Sequence, residues 1–386
     1  MSSQPDRGQD TDKPIRVCLV GPSMDILGGQ AVQVSRLLRR LSELEGMEIG
    51  FLPVNPRLPG PFRALQRIKY VRTVVTSAAY WTSLLTTLWR YDVVHAFSAS
   101  YASYLLAPLP AMIAARAFGK RVVLNYRSGE ASDHLARFPN ARRSMRLANE
   151  IVTPSGYLVE VFARFGLHAR AILNFVDLDG IDYRERTTIR PVFLSNRNLE
   201  ALYNVACTLR AFAIIQTRFP EAVLTVVGEG AERPALEQLS SELCLKNVTF
   251  VGKIPPQRMR EFYGAADIYL NSPNIDNMPN SVIEAFASGI PVVTTDAGGI
   301  PFIVKHGETG MMTPSNDHVA LAASALSLLD SPESARALAA RARAECLQKY
   351  VWEAVSVEWA SLYRGLMRAN SSVATGPAQA AVPGER

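Results

Sequence analysis

Asp276 and Glu284 stand eight residues apart within the stretch Asn271 to Pro301, which reads NSPNIDNMPNSVIEAFASGIPVVTTDAGGIP. Pro273 and Pro279 forbid a continuous helix before Asn280, and Pro279 suits a first helical turn, where its missing N–H costs nothing. Asn277 or Asn280 can cap that helix, and Gly289 followed by Pro291 ends it. Pro291 to Thr295 then forms a short apolar strand, closed by Gly298-Gly299. The helix start leaves the N–H groups of Asn280, Ser281 and Val282 to hold an anion, with a carboxylate on either side. Ionised carboxylates only accept hydrogen bonds, which suits a ligand's hydroxyl groups. Hydrolysis is disfavoured: glycosidases set two acids roughly 5–10 Å apart across the scissile bond, and this pair flanks one helix start. The same helix, turns and strand also occur in any doubly wound α/β domain, where Glu284 is a solvated residue. The Asp-Asn-x-Pro-Asn loop, with no packing role of its own, favours a site.

Strands and turns elsewhere must present these groups. Ile15 to Val20 is apolar enough for a strand buried on both faces. A loop ending in Gly28-Gly29-Gln30 follows, then a helix with Val34, Leu37, Leu38, Leu41 and Leu44 on one stripe. Strand, glycine turn and helix open a Rossmann-like domain. The turn is not GxGxxG and no acid stands in the ribose position, so nicotinamide chemistry is disfavoured. Gly28 and Gly29 let a backbone approach a diphosphate, or form a plain tight turn. Tyr91 to Phe97 is a strand carrying His95, and Val122 to Arg127 is the next. Arg127, Glu130 and His134 can hold an acceptor hydroxyl or phosphate, or form a structural salt bridge. Tyr183 to Arg190 is charged and reads as a linker. Pro191 to Asn196 opens a second set of strands, continued by Ala222 to Val227, Asn247 to Gly252 with Lys253 behind it, and Ala265 to Leu270.

The layout expected is a disordered tail 1–13, a domain 14–182 completed by helix 352–369, a linker 183–190, a domain 191–351 and a disordered tail 370–386. Cys18, Cys207, Cys244 and Cys346 are scattered without a CxxC pair, which favours reduced thiols and argues against a structural zinc site. The polar, acidic N-terminus is no signal peptide, and the most apolar window, Ala99 to Phe118, carries two prolines and Arg116 and reads as buried helix. Net charge is +6, yet residues 57–146 hold fourteen Lys/Arg against three acids. That asymmetry points to a polyanionic partner or to a solvated basic face. From Phe62 to Trp89, helical in pattern, Arg63, Arg67, Lys69 and Arg72 accompany Phe62, Leu65, Ile68 and Val71, as on interfacial helices or on a core-facing helix with a basic outer side.

An acid eight residues before Glu284-Ala285, then Ser288-Gly289-Ile290-Pro291-Val292-Val293 and Gly298-Gly299-Ile300-Pro301, resembles the signature of the family 4 retaining glycosyltransferases. The resemblance covers nearly the whole chain and is densest in its second half. It implies an α/β GT-B fold, two Rossmann-like domains facing across a cleft, with the helix from Trp352 crossing back onto the first. It implies that Arg197, Gly28, Gly29 and the N–H groups of Asn280, Ser281 and Val282 hold a donor diphosphate. Glu284 takes the ribose and Lys253 stands where the base packs. Asp276, replacing a commoner Glu, takes the donor sugar. His95 becomes a catalytic candidate with Asp276 and Arg197, although Phe97 stands where a second histidine is usual. A lysine partner for Arg197 is missing around Tyr203-Asn204, and Phe175 and Phe302 replace a usual glycine and glutamate. The implied donor is a UDP- or GDP-linked sugar, with no other cofactor and no metal. The implied acceptor is a lipid-linked precursor or a glycan, met in the cytoplasm or peripherally at the inner membrane face. Residues 57–146 would contact anionic lipid, and no nucleic acid partner is expected. The alternatives are a nucleotide-sugar epimerase on the same fold and a non-catalytic glycan-assembly partner.

Overall fold

A computed structural model of the chain describes residues 13–23, 29–58, 60, 68 and 70–374. The expected tails 1–12 and 375–386, Gly28, and the Phe62, Arg63, Leu65, Arg67 and Lys69 positions lie outside the described residues. The apolar runs form two six-stranded sheets, each wholly parallel. The first holds β1 (Ile15–Gly21), β2 (Met47–Pro53), β3 (Val93–Ser98), β4 (Arg121–Tyr126), β5 (Glu150–Thr153) and β6 (Arg170–Ala171). The second holds β7 (Val192–Asn196), β8 (Val223–Val227), β9 (Val248–Gly252), β10 (Ile268–Asn271), β11 (Val292–Thr295) and β12 (Met311–Thr313). Their orders are β2-β1-β3-β4-β5-β6 and β12-β11-β10-β7-β8-β9. Each order reverses once, between β1 and β3 and between β7 and β10.

Five helices matter for the site: α1 (Gly29–Leu41), α2 (Val71–Thr87), α3 (Gly156–Arg164), α4 (Asn280–Ala287) and α5 (Trp352–Ala374). Helix α1 buries Val34, Leu37 and Leu41 of the expected stripe. The helix read between Phe62 and Trp89 is described as α2 and a tight turn, Leu88–Arg90. Helix α5 carries Trp352, Val355, Trp359, Leu362, Tyr363 and Leu366 at spacings of three and four, and these bury against the first sheet. Each such side chain contributes roughly 1.5–3 kcal/mol, so the return of α5 ties the end of the chain to its beginning. Phe175 packs on Trp352 at 5.0 Å between ring centroids, which gives its bulk a use where a glycine is usual. Helix α5 runs on to Ala374, so residues 370–374, expected as tail, are helical.

The charged segment after Tyr183 is anchored. Asp267 is fully buried, and Arg184, Arg186 and Arg190 surround it; Arg190 Nε donates to it at 2.6 Å. Burial works against its charge, but hydrogen bonds from Arg190 and Arg184 hold the carboxyl below its ordinary range.

Candidate active site at the facing sheet edges

Ligands of doubly wound sheets collect beyond the carboxyl ends of the strands, where the strand order reverses. Arg197 follows β7 directly, and Asp276 sits on the loop leaving β10, so both stand at the reversal point of the second sheet. Arg197 Nη2 donates to Asp276 Oδ2 at 2.5 Å, and Nη1 donates to Ser281 Oγ at 3.1 Å. The guanidinium lies 4.1 Å from the centroid of the Tyr203 ring, so an aromatic platform stands where a lysine partner is missing. Both charged side chains are largely buried, with 9% and 11% of their surface exposed. Burial pushes the Asp276 carboxyl up, against the pull of Arg197. Burial also works against the guanidinium, which the facing carboxylate keeps cationic. Arg197 Nε is buried with no acceptor among the described residues.

The glycine pair after β11 supports the Asp276 loop from behind. Gly298 has φ 54°, and a Cβ there would lie 2.2 Å from the Asp276 carbonyl oxygen. At Gly299 a Cβ would lie 2.1 Å from the Asn277 carbonyl oxygen, and its N–H donates to Asp276 O at 3.1 Å. Only residues without side chains permit this approach.

Helix α4 starts differently from the sequence expectation. Pro279 occupies the N-cap and no side chain caps the helix, so neither Asn277 nor Asn280 has that role. The Val282 N–H, expected to hold an anion, instead donates to the Pro279 carbonyl at 3.2 Å. The N–H groups of Asn280 and Ser281 find no acceptor among the described residues. The side chain of Asn280 faces the first domain, where its Oδ1 accepts from Gln33 Nε2 and Asn174 Nδ2, both at 2.9 Å. Ser155, which caps α3, donates to Asn277 Oδ1. The tip of α4 is therefore held from both sheets.

Glu284 is no solvated helix residue. Arg36 Nη2 of α1 donates to Oε1 at 2.7 Å and Tyr263 OH donates to Oε2 at 2.9 Å. A carboxylate has about four acceptor sites, so two remain open. Nothing in the spacing of Arg36 marks it as the partner. Gly29 opens α1, and Gln30 Nε2 donates to Ser98 O at 3.0 Å, closing the β1/β3 reversal point. Lys253 is exposed just beyond β9, an edge strand, and enters no ion pair among the described residues. Its neighbour Gly252 accepts from the N–H of Gly228 at 3.0 Å, and Gly228 packs on the Arg197 backbone.

The structure corrects the reading of His95 as a catalytic candidate. His95 lies within β3 on the face covered by α5 and is fully buried. Its Nδ1 hydrogen-bonds Tyr363 OH at 2.7 Å, Asn125 Nδ2 donates to its Nε2 at 3.0 Å, and it stacks on Phe97 and Trp359. Burial, helped by Arg127, lowers its pKa to about 3, so the ring is neutral. His134 is likewise buried, against Tyr126 OH at 2.8 Å, and does not line the site.

A cavity of about 730 Å³ opens at the first sheet, lined by Gln30, Val54, Phe97, Thr76 and Ser103 among others. Among the described residues no helix is long and apolar enough to cross a membrane.

Two parallel doubly wound sheets with facing carboxyl edges, bridged by α5, form the GT-B architecture of glycosyltransferases. The chain belongs to glycosyltransferase family 4: residues 27–179 match the model described as "Glycosyltransferase Family 4", and residues 183–345 match "Glycosyl transferases group 1". It is similar to sucrose-phosphate synthase from Thermosynechococcus elongatus, with a TM-score of 0.74 and 20% identity, over 92% of this chain and 100% of that one. It is also similar to Anabaena Alr3699/HepE in complex with UDP-glucose, with a TM-score of 0.70 and 16% identity, over 93% of this chain and 100% of that one. In sequence it is 26% identical over 209 residues to the N-acetyl-alpha-D-glucosaminyl L-malate synthase of Bacillus anthracis, covering 52% of this chain. The match spans 54% of that synthase, about half its length.

Proposed function

We propose that the protein transfers a sugar, with retention of configuration, from a nucleotide diphosphate sugar to a lipid-linked or polysaccharide precursor acceptor. One observation carries this reading: Arg197 and the unbonded N–H groups of Asn280 and Ser281 converge at the tip of α4, within one turn of the Glu284 carboxylate. As the sugar leaves, negative charge grows on the diphosphate, and fixed donors there lower the barrier. In this reading Asp276 accepts from hydroxyls of the sugar, Glu284 accepts from the ribose, and Lys253 borders the base. On the same reading, Arg197 and the helix tip bring the positive charge that a metal ion would otherwise supply. The complex of HepE with UDP-glucose supports a UDP-linked donor.

The cavity beside Gln30 favours a transferase over an epimerase, because an epimerase needs no acceptor. Helix α2 leads from it with Tyr80 and Leu84 turned inward, while Val74 and Leu85 are exposed and Trp89 follows, 55% exposed beneath Arg90. Apolar side chains beside cations suit an anionic membrane surface, where lipid-linked acceptors reside. Thermal-shift screening against UDP- and GDP-sugars tests the donor, with a rise in Tm expected for one base. Glu284→Gln should lower kcat/KM more than tenfold, about 1.4 kcal/mol. Near-native turnover in that variant would contradict the assignment. Flotation with anionic vesicles tests the membrane contact, and no binding removes it.

A further inference from the structure

Among the described residues, three guanidiniums serve the first two turns of α4, one of them only through Asn174, and two carboxylates answer them. Asp276 pairs with Arg197 and Glu284 pairs with Arg36. The third is Arg127, which directly follows β4. Its N–H donates to Ser98 O at 3.1 Å, the same carbonyl that Gln30 reaches, so it stands at the reversal point of the first sheet. Its guanidinium meets only neutral groups among the described residues. Nη2 donates to Asn174 Oδ1, Nη1 reaches Asn125 Oδ1 at a long 3.4 Å, and the Phe97 ring lies 5.9 Å away. Asn174 in turn donates to Asn280 Oδ1 at 2.9 Å and to Met278 O at 3.1 Å. Arg127 is thus two hydrogen bonds from the first residue of α4. The salt bridge that Arg127 can form with Glu130 is not made.

Resting on the donor-site reading above, we propose that Arg127 is a second donor-binding cation, contributed by the first domain, that holds an oxyanion of the nucleotide sugar. A guanidinium carries five N–H donors in a planar fork, and the neutral partners occupy two. Arg127 is half-buried; an unpaired charge held partly out of water is costly, and a bound oxyanion removes that cost. Burial lowers the Arg127 pKa to about 10, which leaves it charged at neutral pH. The missing lysine partner of Arg197 fits this assignment, since the second charge would come from the opposite sheet. The oxyanion has two sources on the donor: the diphosphate, or a carboxylate on the transferred sugar.

Calorimetric Kd values for wild type, Arg127→Gln and Arg127→Lys with UDP, GDP, UDP-glucose, GDP-mannose and UDP-glucuronate separate these. If the diphosphate is the anion, Arg127→Gln weakens every nucleotide of the preferred base tenfold or more, and Arg127→Lys recovers part of the loss. If the sugar carboxylate is the anion, UDP and UDP-glucose are unchanged and UDP-glucuronate alone weakens. Without ligand, the Tm of Arg127→Gln should equal or exceed that of wild type, because an unpaired, half-buried charge is gone. A merely structural Arg127 gives the reverse, a lower Tm with each Kd within twofold of wild type, and that result overturns the proposal. Should Arg127→Gln fail to fold, Arg127→Lys, which keeps the charge but not the fork, must still weaken binding; unchanged Kd values there overturn it. A wild type that binds none of the probes removes the donor-site reading and this proposal with it.

Discussion

His95 should govern the acid stability of the protein and leave its chemistry alone. The ring is buried with both nitrogens hydrogen-bonded, and its folded pKa is about 3, against roughly 6.5 in an unfolded chain. A depressed histidine pKa means that the unfolded state takes up the proton first. The stabilisation is therefore complete above pH ~6.5 and is lost as pH falls toward 3. The loss approaches about 1.4 kcal/mol per pH unit, or about 2 kcal/mol between pH 7 and pH 5. The facing groups are Tyr363, Asn125, Phe97 and Trp359, with Arg127 adding a like charge. None of these partners gains a compensating charge in that window. His95→Gln removes the titration, so urea unfolding at pH 7, 6 and 5 should show the wild-type advantage shrinking by about 2 kcal/mol. Carboxylates titrating in the same range cancel in the difference. A gap independent of pH would refute the reasoning. So would a folded His95→Gln protein with kcat reduced a hundredfold, which would return the ring to the chemistry.

Other variants probe the supports of the site. Gly298→Ala forces a methyl against the Asp276 carbonyl at 2.2 Å and strains a positive φ; donor KM should rise at least tenfold, and an unchanged KM would show that the loop does not position Asp276. Asp267→Asn leaves Arg184, Arg186 and Arg190 without their buried carboxylate, a loss of about 3–5 kcal/mol. Urea unfolding measures it, and a change under 1 kcal/mol is inconsistent with the cluster. Because Asp267 is held below its ordinary range, its contribution is full above pH ~4 and lost as pH falls through the folded pKa. Arg197→Lys keeps a charge beside Asp276 while removing the fork; kcat/KM should fall more than tenfold with a Tm near wild type, and unimpaired turnover contradicts the role given to the guanidinium.

Much of this molecule is legible without coordinates. Continuous apolar runs such as Val17 to Val20 can lie only in a sheet covered on both faces, and prolines and glycines punctuate the Asn271 to Pro301 stretch into loop, helix, turn and strand. Those constraints are local, since they follow from φ, from missing N–H groups and from side-chain period. The loop, helix, turn and strand of this stretch follow from them, as does the nucleotide-fold topology, but the capping of α4 does not. The partners of the side chains do not follow either, because pairing is set by which elements pack together. Arg36 meets Glu284 across 248 residues, Tyr363 meets His95 across 268, and Asn174 meets Asn280 across 106. The resemblance makes His95 a catalytic candidate at a strand end; the return of α5 decides that it is core. The unpaired charge of Arg127 is equally invisible in sequence, where Glu130 stands three residues away. Local chemistry set the elements and the acidic and glycine positions, and only the packing of the two sheets determined which charges meet a carboxylate and which meet neutral groups alone.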